Sequence, residues 1–87
     1  MEMASRQVVL RVLESIADRY IDSGYSQIVF SKAEFIREYK WLLRQKRIDF
    51  IKMETLLRTL RKMAEESIII SYVDGRGGKY VLDILRL

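Results

Sequence analysis

The chain contains no cysteine, no histidine and no proline. Each absence removes a class of chemistry. Without cysteine there is no disulfide framework, no thiol nucleophile and no thiolate metal site. Without histidine there is no imidazole base and no histidine-bound zinc, which removes most familiar hydrolase and metalloenzyme sites. Long apolar runs are missing too, and nothing approaches the roughly 18 uninterrupted apolar residues of a membrane helix. The N-terminus is charged and lacks the apolar stretch of a signal peptide, so the expectation is a soluble, cytoplasmic protein with no membrane association. Carboxylates are plentiful at 12 Asp and Glu, yet no D-x-D or E-x-x-E cluster lies in an evident cleft. Asp18 and Asp22 share a helix face and read as surface charges. No catalytic residue, metal site, cofactor or small-molecule substrate is indicated, and the expectation is a non-enzyme.

What is present is one domain's worth of chain. The 87 residues, 49% of them hydrophobic, suit a single domain over 1–87 that buries roughly 60–65% of its unfolded surface. The net charge is +4, and its distribution is more telling than its size. Residues 40–62 hold eight basic side chains (Lys40, Arg44, Lys46, Arg47, Lys52, Arg58, Arg61 and Lys62) against Asp49 and Glu54. The segments on either side are each slightly acidic. An anionic partner is the natural expectation, set against the plain alternative of a solvated helix face.

Apolar residues Val9, Val12, Leu13, Ile16, Ala17, Tyr20 and Ile21 follow the i, i+3, i+4, i+7 spacing of an amphipathic helix over about 5–22. Asp22-Ser23-Gly24 then supplies a stop, with Gly24 suited to the left-handed position after a helix end. Gln27 to Phe30 is a short β-branched and aromatic run, read as a small strand. Ser31 followed three residues later by Glu34 is a capping box. It opens a second helix over about 32–44 that buries Phe35, Ile36, Tyr39, Leu42 and Leu43. Trp41 lies off that stripe and is placed at the core margin in preference to a partner surface.

Asp49 is read as the N-cap of a third helix running to about Glu66, with Met53, Leu56, Leu57, Leu60, Met63 and Ala64 as its apolar stripe. The opposite face carries Thr55, Arg58 and Lys62, flanked by Thr59 and Arg61. Ile51 falls on the exposed side of this helix, which is unusual for so large an apolar residue. Beyond Ser67, Ile68–Val73 and Lys79–Leu85 are strand-forming runs. Three of the four glycines fall between them in Asp74-Gly75-Arg76-Gly77-Gly78, which predicts a β-hairpin. That glycine cluster is not a phosphate-binding loop, because it joins two strands and lacks both the Lys-Ser/Thr spacing and the following helix.

The order helix, short strand, helix, basic turn, helix and glycine-tipped hairpin resembles that of small winged-helix (winged helix-turn-helix) DNA-binding proteins of archaea and their viruses. The resemblance covers about residues 5–86 and rests on element order, the basic third helix and the tip Asp74-Gly75-Arg76-Gly77-Gly78-Lys79. It implies an α+β winged-helix fold, with the third helix in the major groove and the hairpin wing on flanking backbone or minor groove. Carried onto this chain, Thr55, Arg58, Thr59 and Lys62 become base-reading positions, Arg58 having the planar donors to read a guanine edge. Lys46, Arg47 and Lys52 suit phosphates, and Arg76 with Lys79 belongs to the wing, an arginine there suiting a narrow minor groove.

The expected function is therefore sequence-specific binding of double-stranded DNA by a transcriptional regulator. A homodimer would read two half-sites, its surfaces offered by the first helix and the C-terminal strand. Beside each basic residue stands a plainer reading: Arg58 and Lys62 can pair with Glu54 and Glu66 four residues away, and Arg76 can be a solubilising loop residue. Two other functions stay open, a protein-interaction adaptor using exposed Ile51 and Trp41, and nonspecific nucleic-acid binding through the same charges.

Overall fold

A computed structural model describes residues 4–20, 23–66, 70–72 and 78–87. The element order is α1 (Ser5–Asp18), β1 (Gln27–Ser31), α2 (Lys32–Arg44), α3 (Met53–Glu66), β2 (Ile70–Tyr72) and β3 (Lys79–Asp83), closed by a 3-10 turn over Ile84–Arg86. This is a small α+β domain with three helices and an antiparallel sheet in the order β1-β3-β2. Gln27 pairs with Asp83 and Ser31 with Lys79 on one side of β3, while Ile70 pairs with Leu82 on the other. The C-terminal strand expected at a dimer surface is thus the centre of the sheet, with both backbone edges occupied.

The helices form where their apolar spacing places a continuous stripe against that sheet. Val8, Val9, Val12, Leu13, Ile16 and Ala17 of α1 are buried, as are Phe35, Tyr39 and Leu42 of α2 and Leu56, Leu60, Met63 and Ala64 of α3. They close on the inner face of the sheet, to which Ile28, Phe30, Ile70, Tyr80 and Leu82 contribute. Strand alternation sends every second side chain inward, and Phe30 stacks between Tyr80 at 5.3 Å and Phe35 at 6.1 Å. The capping box forms as the sequence indicates: Ser31 Oγ accepts from the Glu34 N–H at 3.1 Å, and Glu34 Oε1 accepts from the Ser31 N–H.

Three boundaries differ from expectation, each for a local reason. α1 ends at Asp18, because the chain tightens there into three-residue bonds, Arg19 N–H to Ile16 O and Tyr20 N–H to Ala17 O. Gly24 does have positive φ, +80°, but in the connection beyond the helix end. β3 stops at Asp83, whose carboxylate accepts from the Leu85 N–H at 3.1 Å and turns the chain into the 3-10 turn. α3 begins at Met53, so Asp49 is not its N-cap. The Lys52 carbonyl accepts the first helical bond, from Leu56 N–H at 2.9 Å, which puts Lys52 in the capping position. Residues 68, 69 and 73 of the hairpin strands and the tip residues 74–77, Arg76 among them, lie outside the described residues.

Candidate functional site

The late start of α3 reshapes the basic segment before it. α2 ends on Gln45, and Lys46 follows with φ 56°, the left-handed conformation usually left to glycine. Lys46 N–H donates to Leu43 O at 3.0 Å and Arg47 N–H to Leu42 O at 3.1 Å. These are the paired bonds of a Schellman helix end, which satisfies two carbonyls that α2 would otherwise leave open. Ile48 then drops into the core. The buried Tyr39 grips the chain three residues on: its hydroxyl donates to Ile51 O at 2.7 Å and accepts from Ile51 N–H at 2.8 Å. A backbone bound sideways to α2 in this way is not free to join a helix at residue 51, which is why α3 starts later.

Two consequences follow for the exposed surface. Ile51 is not an exposed helix residue; it is half-buried and packs on the core. The exposed apolar residue is its neighbour Phe50, at 74% of full exposure. An aromatic side chain therefore stands in solvent between Lys46-Arg47 and Lys52, all three of them exposed. Reading α3 from Asp49 hid Phe50 in a first helical turn, and its position in a basic connection is the signal that identifies it.

The cations are also distributed differently from a simple basic helix. α3 itself balances Arg58, Arg61 and Lys62 with Glu54, Glu65 and Glu66. The excess lies earlier, on exposed Arg37, Lys40 and Arg44 of α2 and on Lys46, Arg47 and Lys52 of the connection. The carboxylates within that span are Glu38 and Asp49. Glu38 is buried, at 6% exposure, and faces inward toward α1: Ser15 Oγ donates to it at 2.5 Å and Arg19 reaches it at 3.1 Å. The Arg19 guanidinium also lies 5.9 Å from the Trp41 ring centroid, and half-buried Trp41 packs at the core margin. Cations near a helix C-terminus complement its dipole by about 0.3–1 kcal/mol each at low salt. That accounts for Arg44, Lys46 and Arg47 at the end of α2, but not for Arg37, Lys40 and Lys52.

The structure gathers the sequence-derived candidates into two groups. Lys46, Arg47 and Lys52 share the α2–α3 connection, next to Phe50. Arg58 and Lys62 stand one turn apart on the solvent side of α3, while Thr55 and Thr59 are half-buried on its flank, with Thr59 Oγ1 donating to Thr55 O at 2.9 Å. Lys79 is exposed at the start of β3, opposite Ser31, on a separate element. Arg58 does approach Glu54 at 3.6 Å, with both side chains more than half exposed. An exposed pair of this kind is worth only about 0.3–0.5 kcal/mol and yields easily to another anion. Glu66 instead bonds Arg6 of α1. That hydrogen bond, with the charges of Arg6 and Lys62, holds the Glu66 carboxyl below its ordinary value, while the same bond and the charge of Glu66 raise Arg6.

Among the described residues no cluster of three or more carboxylates is placed to hold a metal ion, and no helix is long and apolar enough to cross a membrane. A depression between α1 and the end of α2 is lined by Arg11, Arg47, Glu14 and Asp18, so its charges cancel. No family model matches the chain, and no curated protein or solved structure matches it either.

Proposed function

We propose that this protein is a winged-helix reader of double-stranded DNA, acting as a sequence-specific transcriptional regulator without a cofactor. The observation that carries this reading is the run of exposed cations from Arg37 to Lys52, whose one buried carboxylate is turned away toward Arg19. Phosphates are the ligand such a surface suits, because neutralising them releases condensed counterions. The sheet order β1-β3-β2 after a helix–strand–helix–helix sequence is compatible with a winged helix.

In this scheme Lys46, Arg47 and Lys52 grip backbone phosphates and fix the register of α3 in the major groove. Arg58 and Lys62 face the base edges, and Thr55 supplies a methyl or hydroxyl contact at the flank. Arg76 and Lys79 belong to the wing. Because α3 is neutral overall, base readout costs little in nonspecific attraction, and affinity comes mainly from the connection before it.

Selection of random duplex DNA on the purified protein, with binding of the winners followed against salt, tests this reading. A shared motif is expected. Arg58→Ala should weaken the selected site by about 1–3 kcal/mol and relax one base position, whereas Lys52→Ala should weaken all sequences alike and lower the salt slope by about one. Enrichment without a motif would replace specific reading by nonspecific nucleic-acid binding. A second reading, a protein adaptor, is favoured by one observation, the exposure of Phe50. No retention of any duplex would select it.

A further inference from the structure

The strand β1 forms one edge of the sheet, and its free groups are set by the pairing on its other side. Ser26 O accepts from Ile84 N–H at 2.9 Å, and Gly78 O accepts from Lys32 N–H at 3.2 Å. Hydrogen-bonded pairs in an antiparallel ladder recur every second residue. Ile28 and Phe30 therefore direct their N–H and C=O groups to β3, while Gln27 and Val29 direct theirs outward. Among the described residues nothing pairs with that outer edge.

Natural sheets blunt an open edge with charges, proline, bulges or a covering element. β1 reads Gln-Ile-Val-Phe-Ser and has no charge and no proline. Its outward side chains include Val29 at 54% exposure, and Tyr25, just before the strand, is at 65%. The other edge strand, β2, is described over Ile70–Tyr72.

We propose that β1 is a self-pairing edge, through which two copies of this chain join antiparallel about a two-fold axis at Ile28. In that register Gln27 lies opposite Val29 of the second copy and Val29 opposite its Gln27. Both residues carry outward N–H and C=O groups, so four backbone hydrogen bonds form, two on each side of the axis. On the outer face Val29 then lies diagonal to Tyr25 of the second copy, within reach of an aromatic ring. The two exposed apolar side chains cover each other twice over, and the product is one continuous six-stranded sheet. A two-fold pairing is closed, so it stops at a dimer.

Sedimentation equilibrium of the full chain, without nucleic acid, tests the pairing independently of any DNA-binding role. The mass is expected to rise with concentration from 10.4 kDa to twice that value and no further. Amide hydrogen exchange at Gln27 and Val29 should slow over the same concentration range, while Ile28 and Phe30, already bonded to β3, stay unchanged. Val29→Lys places a charge on the edge, and Val29→Pro removes an outward N–H that β3 does not use. Each should hold the mass at one copy, and the lysine variant should keep the thermal midpoint that the wild type shows at concentrations where it is a single copy. A single-copy mass at every concentration up to the millimolar range overturns the proposal. So does a dimer that forms without protecting Gln27 and Val29, or one that survives Val29→Lys.

Discussion

Lys46 holds a left-handed conformation, at φ 56°, that costs a non-glycine residue about 1 kcal/mol. Glycine there would keep both Schellman bonds without that cost. Lys46→Gly is therefore expected to stabilise the fold by about 0.5–1 kcal/mol in a denaturant titration, while weakening duplex binding through the lost cation. Opposite signs in the two measurements would show that the strained lysine is kept for its charge. Glu38 is the converse case, a buried carboxylate held by Ser15 and Arg19. Arg19→Ala leaves that charge with one neutral donor and removes the cation beside Trp41. The expected loss is about 1–2 kcal/mol, below the usual range for a buried pair because Arg19 is itself largely exposed. Arg19→Lys should recover only part of it, since a lysine cannot present the planar fork.

At the scale of elements, the decisive contact joins α2 to the segment before α3. The Tyr39 hydroxyl satisfies both the N–H and the C=O of Ile51. Tyr39→Phe keeps the ring in the core and removes both bonds. A loss of about 1–3 kcal/mol is expected, together with faster amide exchange at Ile51, because that backbone is then bound by nothing on α2. The helices, the capping box at Ser31 and the short strand begun at Gln27 were legible in the sequence, because each is written in local spacing. The start of α3 was not. Asp49 is a good N-cap by residue type, and only the hydroxyl of Tyr39, twelve residues from Ile51 in sequence, overrides it. The same displacement moved the exposed apolar position from Ile51 to Phe50.

Across the whole molecule, α1 and α3 are tied at the surface by Arg6 and Glu66. The Glu66 carboxyl lies below its ordinary value because of the hydrogen bond from Arg6. A carboxyl whose folded value is depressed binds its proton more readily in the unfolded chain. Its contribution is therefore complete above the ordinary carboxylate range and is lost as pH falls through the lower, folded value. Thermal midpoints of the wild type should fall more steeply between neutral and acid pH than those of Glu66→Gln. Parallel curves for the two proteins would remove this contact from the stability of the fold. The pairing itself was not legible. Lys62 is the residue four positions before Glu66 and the natural partner by spacing, yet α1 packs so that Arg6 arrives first.

Composition and periodicity alone determined the α+β class, the three amphipathic helices and the concentration of positive charge in the middle of the chain. Those properties are local: a 3.6-residue or two-residue period and a cap are complete within a few neighbouring residues. Only the tertiary structure decided where the charge acts. It buried Glu38 against Arg19 and left Arg37, Lys40 and Lys52 exposed. It balanced α3 internally, stood Phe50 in solvent, and put β3 between β1 and β2, so that among the described residues β1 kept an open edge. Each of these depends on which distant side chain or strand fills a given space, and packing, not sequence spacing, makes that choice.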